Sequence, residues 1–144
     1  MPKLLIVEDA VDIQMLLRRL FEMEGYQVRC ASNGQEALFE LTNSDYRPDL
    51  ILLDLMMPVM DGFEFREQQM KIDAIRDIPI VVMTADGDIQ PKRSSLDALG
   101  FLRKPVDIDN LLTTVEKHCK TAASLRAGPK TESYNAAPGG KSYG

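Results

Sequence analysis

Five short apolar segments recur along the chain, and segments with helical periodicity separate most of them. Two of the five, at residues 50–53 and 80–83, are apolar at every position. Such strands are typical of the centre of a parallel sheet covered by helices on both faces. The second segment is more polar, which favours an edge position. The predicted strands comprise residues 3–7, 27–31, 49–53, 78–83 and 101–102.

Between the strands, apolar residues recur at intervals of three and four, the period of an amphipathic helix. Gly25 is predicted to cap the first helix at its end and Asp107 to cap the last helix at its start. Residues 63–75 lack a clean apolar stripe, but good helix formers such as Arg66 and Gln69 favour a helix there. The residues expected to face the core are Ile13, Leu16, Leu17 and Leu20 in the first helix, Ala37, Leu38 and Leu41 in the second, and Ile108, Leu111, Leu112, Val115 and Cys119 in the last.

The alternation of strands and helices predicts an α/β fold with a doubly wound, five-stranded parallel sheet in a three-layer sandwich. From residue 121 onward the composition shifts to Ala, Ser, Gly and Pro, and apolar periodicity disappears. We therefore expect one domain over residues 1–120 and a flexible tail or linker over residues 121–144.

Composition narrows the classes of function. A chain of 144 residues with 44% hydrophobic residues fits one globular domain and excludes a two-domain enzyme. A formal charge of -5 disfavours direct binding to nucleic acid. Cys30 and Cys119 belong to no metal or disulfide motif, which is typical of a reducing compartment. No apolar run approaches the roughly 18 residues that cross a bilayer, so we expect a cytoplasmic protein without membrane contact.

Polar side chains follow the predicted strands at the point where each strand ends. Glu8 and Asp9 follow the first strand, Asp54 the third, Thr84 the fourth and Lys104 the fifth. Taken singly, each has a structural explanation as a helix cap, a strand end or a surface charge. Ligands of a doubly wound sheet, however, bind at the carboxyl ends of its strands. The pattern therefore predicts three carboxylates, one hydroxyl and one ammonium at a single edge.

Three neighbouring carboxylates repel one another unless a cation lies between them. Ligands that are all oxygen atoms suit Mg²⁺ or Mn²⁺. With the metal bound, Asp54 stays available as a nucleophile toward phosphorus. The metal, the Lys104 ammonium and the Thr84 hydroxyl would each bind one oxygen of the transferring group, which is most of what phosphoryl transfer requires. The predicted chemistry is the formation of an aspartyl phosphate.

Four segments together resemble the response-regulator receiver domain of two-component signalling, and in particular its single-domain chemotaxis type. They read LIVED at residues 5–9, DLILLDLMMPVMDG at 49–62, VVMTA at 81–85 and FLRKP at 101–105. The resemblance covers residues 3–120 and implies the flavodoxin-like receiver fold. It implies a phosphorylation-dependent switch that changes a face binding a downstream protein. Such a domain is a regulatory phosphoacceptor rather than an enzyme and at most catalyses its own phosphorylation and dephosphorylation.

The resemblance also implies roles for the residues of the acidic edge. Asp54 would accept a phosphoryl group from a sensor histidine kinase or a phosphotransfer protein. Glu8, Asp9 and Asp54 would hold Mg²⁺, and the backbone carbonyl of Met56 would complete the protein ligands.

Further roles fall on the last two strands and the residues after them. Thr84 would hydrogen-bond a phosphoryl oxygen and move inward, and Phe101 would follow it as the aromatic switch residue. Lys104 would pair with the phosphoryl group, and Pro105 would follow a cis peptide bond that aims this lysine. Asp86 would flank the path of an attacking water.

Two departures from the family pattern change these expectations. Leu99, Gly100 and Phe101 are contiguous, where the family usually has a few residues between the glycine and the aromatic residue. We therefore expect a shortened junction between the fourth helix and the fifth strand. Thr113 and Thr114 stand where one subfamily of transcription factors carries an arginine for dimer contacts, so we expect a monomer or a weak dimer.

Three other functions would use a similar arrangement of residues. A haloacid-dehalogenase-like phosphatase needs a second acid two residues after its nucleophile, where this chain has Met56. A flavodoxin-like electron carrier needs a phosphate-binding loop after the first strand, where this chain has Glu8 and Asp9. A degenerate receiver that acts as a constitutive protein-interaction module stays open, because the fourth-helix region departs from the family.

Overall fold

A computed structural model describes the backbone of residues 1–85 and 96–127, and the side chains of these residues up to 119. Within this part of the chain, five parallel strands form one sheet that four helices cover. The strands are β1 (Lys3–Val7), β2 (Gln27–Ala31), β3 (Leu50–Asp54), β4 (Ile80–Thr84) and β5 (Gly100–Arg103). The helices are α1 (Val11–Met23), α2 (Gly34–Asn43), α3 (Gly62–Met70) and α4 (Ile108–Ala127). None of these helices is both long enough and apolar enough to span a membrane.

The strand order is β2-β1-β3-β4-β5, with every pair parallel. The chain therefore reverses its direction of winding between β1 and β3, which defines a doubly wound sheet. All five residues of β3 and of β4 are buried, whereas β2 contains exposed as well as buried residues and lies at an edge. The predicted fold class, the two central strands and the polar edge strand are confirmed.

Two separate apolar cores give the domain its three layers. Along β1, Leu5 and Val7 pack on one face with residues of α2 and α3, including Phe65. Leu4 and Ile6 of β1 pack on the other face with residues of α1 and α4. Because side chains alternate along a strand, an apolar residue at every position fills both cores at once.

The predicted inward face of α1 is wrong at two positions. Ile13 and Leu16 are 38% and 53% exposed, and the buried residues of the helix are Leu17 and Phe21. The Phe21 ring packs edge-on against Tyr26, with 5.2 Å between the ring centroids. Burying this larger ring rotates the helix relative to the predicted stripe, because aromatic side chains contribute the largest apolar areas.

Two helices end at positions that differ from the prediction. The helix predicted over residues 63–75 ends at Met70, because the side chain of Gln69 binds the carbonyls of Ile75 and Ile78 and stabilises a turn instead. The last helix continues past the predicted boundary at residue 120 to Ala127. Residues 121–127 contain neither glycine nor proline and include good helix formers.

The last helix also exposes its first apolar residue, Ile108, at 45%, although it was predicted to face the core. The following predicted residues Leu111, Val115 and Cys119 are buried. Residues 128–144 lie outside the described part of the chain, so the flexible tail stays a prediction.

β5 is longer than the predicted two residues, and its pairing with β4 begins at Gly100, opposite Val81. Just before the strand, the Leu99 N–H donates to the carbonyl of Ile80 at 2.9 Å. Residues 86–95 lie outside the described residues. Most of the shortened junction predicted before β5, together with Asp86, falls in this range.

Candidate functional site

Three carboxylates meet at the carboxyl end of the sheet. One oxygen atom each of Glu8, Asp9 and Asp54 lie within 4.8 Å of one another. The pairing of Val7 with Leu53 brings the ends of β1 and β3 side by side. Glu8 and Asp54 are only 1% and 3% exposed, whereas Asp9 is exposed. The cluster therefore lies where the winding reverses, the ligand-binding position of a doubly wound sheet.

Lys104 reaches this cluster from the end of β5. Its Nζ donates to Glu8 Oε1 at 2.8 Å and lies 3.3 Å from Asp54 Oδ2. The Lys104 N–H donates to the carbonyl of Thr84 at 2.8 Å, so the backbone pairing of β4 and β5 continues up to the lysine. The peptide bond between Lys104 and Pro105 is cis.

The electrostatics of the pocket leave an excess of negative charge. Burial and the charge of Glu8 raise the pKa of Asp54 to about 6, although Lys104 opposes the shift. Burial disfavours the charged form of Lys104, but the hydrogen bond to Glu8 and the charge of Asp54 outweigh it, so the pKa of the lysine is raised. The Lys104 ammonium thus contacts two of the three acids, and the three carboxylates offer only oxygen ligands, a donor set that fits a hard divalent cation.

Gln14 of α1 holds the backbone of Glu8, a role that the sequence analysis missed. Its Nε2 donates to the carbonyls of Glu8 and Ala31 at 2.8 and 3.2 Å, and so ties the ends of β1 and β2 together. The Ala10 N–H in turn donates to Glu8 Oε2 at 3.1 Å. Gln14 lies one turn before Leu17 on the buried stripe of α1, and a polar residue on such a stripe is the signal that could have identified it.

The loop after Asp54 folds back onto the acid. The Met56 N–H lies 3.4 Å from Asp54 Oδ1, and the Met56 side chain is 63% exposed. Asp61 caps α3 in a reciprocal capping box with Glu64. A Cβ atom at Gly62 would lie 2.7 Å from the Asp54 carbonyl oxygen, so only glycine lets α3 start this close to β3. The start of α3 is therefore fixed against the acid itself.

Thr84 and Phe101 lie on the two strands beside the acids. Thr84 is the last residue of β4, is 7% exposed and pairs with Arg103 of β5. Phe101 pairs with Val82, is half-buried and packs against the core cluster that contains Phe65. The structure thus brings Glu8, Asp9, Asp54 and Lys104 into one pocket, with Thr84 at the adjacent strand end and Phe101 on the neighbouring core.

Comparison with known sequences identifies a protein family and relatives that match most of this chain. The family model of the response regulator receiver domain matches residues 4–116. Sporulation initiation phosphotransferase F of Bacillus subtilis is 42% identical over 118 residues, which cover 81% of this chain and 92% of that protein. The DNA-binding dual master transcriptional regulator RpaA of Synechocystis is 37% identical, but the match covers 80% of this chain and only 48% of the regulator. RpaA is therefore about twice as long as the region that matches this chain.

The solved structures that resemble this chain are response regulators as well. The response regulator protein TrrA of Thermotoga maritima, solved in complex with Mg²⁺ and BeF, is 32% identical with a TM-score of 0.71 and covers 82% of this chain and 99% of its own. The chemotaxis response regulator CheY4 of Vibrio cholerae is 32% identical with a TM-score of 0.73, at 82% and 98% coverage. The chain therefore belongs to the response regulator receiver domain family, the phosphorylation-dependent switches of two-component signalling.

Proposed function

We propose that Asp54 is the phosphoacceptor and that the surrounding pocket promotes its phosphorylation with Mg²⁺. One observation carries this proposal: three carboxylates lie within 4.8 Å of one another at the point where the sheet reverses its winding, and the Lys104 ammonium contacts two of them, Glu8 and Asp54. Asp54 is the central acid of this group in the sheet, at the end of β3 between β1 and β4. Such a pocket suits the transfer of an anionic group once a cation is present.

The transfer forms one bond and breaks one bond. A carboxylate oxygen of Asp54 attacks the phosphorus of a phosphohistidine, and the bond between phosphorus and the imidazole nitrogen breaks. The imidazole leaves with the electron pair and takes up a proton. Lys104, which faces Glu8 and Asp54 before the reaction, then neutralises one phosphoryl oxygen, and the Thr84 hydroxyl donates a hydrogen bond to another.

The ligands of the metal follow from the same pocket. Glu8, Asp9, Asp54 and the backbone carbonyl of Met56 would hold Mg²⁺, and Mn²⁺ would suit the same oxygen atoms. When bound, the metal supplies positive charge to the phosphoryl oxygens. The related TrrA structure, which contains Mg²⁺ and BeF, supports this assignment.

Thr84 and Phe101 would convert phosphorylation into a change of surface. Thr84 closes β4 beside the acids, and Phe101 packs half-buried on the adjacent strand. An inward movement of the Thr84 hydroxyl toward the phosphoryl group would open space that the Phe101 ring can enter. We infer that the altered face binds a downstream protein target and that the domain acts on no substrate other than its own phosphoacceptor.

A histidine kinase or a phosphotransfer protein would supply the phosphoryl group. Its phosphohistidine has to reach Asp54, so it must contact the surface around the pocket. Val11, Met15 and Leu16 of α1 are 62%, 61% and 53% exposed, and the helix begins two residues after Asp9. Exposed apolar groups this close to the acids suit a protein donor. Both cysteines are free thiols, which supports a cytoplasmic reaction.

Phosphorylation by a small donor tests the acceptor directly. We expect intact-mass analysis to show one phosphate adduct after incubation with Mg²⁺ and acetyl phosphate. The adduct should disappear in Asp54→Asn and persist in Asp77→Asn, which alters an exposed aspartate before β4. If the wild type gained no adduct, even from a histidine kinase, the domain would be a constitutive interaction module instead.

A pair of methionines on one helix tests the docking of the donor. Met15 and Met23 are both exposed, at 61% and 76%, but lie about 12 Å apart along α1. Met15→Glu should slow phosphorylation by a kinase that acts on the wild type, whereas Met23→Glu should not. Neither variant should change the rate with acetyl phosphate, and a slower reaction of Met15→Glu with both donors would contradict docking at this end.

A further inference from the structure

The Arg66 side chain of α3 is buried beneath the segment that leads into β5. It is 5% exposed, and its Nε donates to the carbonyl of Leu96 at 2.7 Å. One Nη donates to the carbonyl of Asp97 at 3.1 Å, and the other donates to Gln69 Oε1 at 2.8 Å. The guanidinium thus joins α3 to two consecutive carbonyls of the segment that precedes β5.

Gln69 connects Arg66 to the turn before β4. It is fully buried, and its Nε2 donates to the carbonyls of Ile75 and Ile78, each at 2.9 Å. Because its oxygen accepts from Arg66 and its nitrogen binds these two carbonyls, the amide has one orientation that satisfies every contact. The turn before β4, the helix α3 and the segment before β5 are therefore connected through two side chains.

A buried guanidinium is an inefficient way to stabilise a core. Burial disfavours the charge and lowers the pKa of Arg66, and an apolar side chain of similar volume often serves stability as well or better. A guanidinium does offer several donors in a fixed planar arrangement. Here those donors hold the backbone at defined positions, which an apolar side chain cannot do.

Only a few residues separate the backbone that Arg66 holds from β5 and Lys104. Asp97 has a φ of 50°, the left-handed region that favours glycine, and Arg66 binds its carbonyl. Gly100 follows three residues later and starts β5, a distance of about 10 Å at full extension. Lys104 comes directly after the strand. Fixing Asp97 therefore limits where β5 and its lysine can lie.

The opposite end of α3 rests on the proposed acceptor. Gly62 packs against the backbone of Asp54 and Leu55, and its N–H donates to the Leu55 carbonyl at 2.9 Å. One helix thus contacts the end of β3 at its first residue and, through Arg66 in its second turn, the entry to β5. Helix α3 therefore connects the proposed acceptor Asp54 to β5, the strand that directly precedes Lys104.

We propose that Arg66 is a positioning residue for the phosphorylation of Asp54, because it anchors the entry to β5 and thereby holds Lys104 beside the acids. This inference rests on the proposed roles of Asp54 and Lys104. It predicts that the loss of Arg66 acts on the reaction through Lys104 and leaves the metal ligands, which lie on or next to β1 and β3, in place.

A double-mutant cycle tests the link between the two residues. Arg66→Met should lower the initial rate of phosphorylation by acetyl phosphate about tenfold, but less than about twofold in a Lys104→Ala background. The Mg²⁺ concentration for half-maximal thermal stabilisation should not rise above that of the wild type, because the metal ligands stay in place and a displaced Lys104 competes less for Glu8 and Asp54. Arg76→Met, on an exposed arginine of the turn before β4, is the matched control and should change neither quantity.

A second measurement does not depend on phosphorylation. Hydrogen exchange of the Leu99 and Lys104 amides, which donate to Ile80 and Thr84, should become faster in Arg66→Met and to a smaller degree in Arg66→Lys. Arg66→Lys keeps the charge and reaches fewer carbonyls, so it gives the answer if the methionine variant does not fold. Unchanged exchange at both amides would overturn the anchor.

The outcomes separate this inference from the proposed function. If the wild type gains no phosphate with Mg²⁺, the proposed acceptor fails, while the hydrogen-exchange result still decides the anchor. If the wild type is phosphorylated but Arg66→Met slows the reaction equally with and without Lys104, Arg66 is only structural and the positioning role is wrong.

Discussion

Lys104 lies closer to Glu8 than to the proposed phosphoacceptor. Its Nζ is 2.8 Å from Glu8 Oε1 and 3.3 Å from Asp54 Oδ2, although 96 positions separate Lys104 from Glu8 along the chain. Glu8 is 1% exposed, so this ammonium compensates a buried carboxylate as well as the acceptor. The lysine therefore stabilises the unphosphorylated fold, in addition to its proposed role in phosphoryl transfer.

Replacing Lys104 with methionine should destabilise the free protein. Removing one partner of a buried charge pair leaves the carboxylates of Glu8 and Asp54 without their cation, a loss of about 1–3 kcal/mol at neutral pH. Urea unfolding at pH 7 measures the change, with Lys71→Met on an exposed lysine as the control. Saturating Mg²⁺ should restore part of the loss, and an unchanged free energy of unfolding would contradict the pairing.

Asp54→Asn should stabilise the protein at neutral pH and flatten its pH dependence. The pKa of Asp54 is raised from 3.8 to about 6 in the folded state, so the folded protein binds its proton more tightly than the unfolded chain does. Stability is then highest below about pH 4 and falls as the pH rises to about 6, with about 1–3 kcal/mol lost in total from this group.

Unfolding free energies at pH 4, 5, 6 and 7 in the absence of divalent cations show whether this sign is right. The difference between Asp54→Asn and the wild type should grow over this range and be greatest at pH 7. Asp77→Asn, which alters an exposed acid, is the control. A difference that shrank as the pH rose would mean that the pocket lowers the pKa of Asp54.

Mg²⁺ should raise the melting temperature of the wild type through binding to the native acids. At a hundred times the dissociation constant, such binding adds about 2.7 kcal/mol to the free energy of unfolding. Asp9→Asn should remove most of this gain without unfolding the protein, because Asp9 is exposed. Asp12→Asn removes an exposed acid from the first turn of α1 and should keep the gain.

The sequence predicted the acidic site better than it predicted the helices. Apolar runs end where strands leave the core, so the residues that follow them, such as Glu8 and Asp54, could be placed at one edge before any geometry was known. The fold class followed from the same alternation. The faces and ends of the helices were less accurate, as Ile13, Leu16 and Ile108 show.

The buried polar residues could not be predicted, because their partners are backbone carbonyls from distant segments. Arg66 and Gln69 count as good helix formers in the sequence, and nothing local distinguishes them from exposed residues of the same kind. Their burial also explains why the apolar stripe of α3 was irregular: Arg66 and Gln69 occupy core positions beside Phe65.

Gly62→Ala should destabilise the fold and slow phosphorylation together. A Cβ atom there would lie 2.7 Å from both the Asp54 carbonyl oxygen and Leu55 Cδ2, so β3 or α3 must shift, at about 1–3 kcal/mol. Gly25→Ala is the contrasting control. Its Cβ would meet open space, but its φ of 94° disfavours alanine, so it should lower stability without slowing phosphorylation by acetyl phosphate.

Met56→Asn should shorten the lifetime of the phosphorylated state. Met56 lies two residues after Asp54, and its 63% exposed side chain is apolar, so it cannot hold a water for attack on phosphorus. An asparagine amide offers a donor and an acceptor to such a water. The rate of dephosphorylation should rise about tenfold or less, below the 10²–10⁴-fold of full acid–base catalysis.

The decay of the phosphate adduct after removal of acetyl phosphate measures this rate. Met56→Leu should decay like the wild type. An unchanged decay of Met56→Asn would show that the methionine contributes only its backbone, and a slower decay would contradict the shielding of the phosphoryl group.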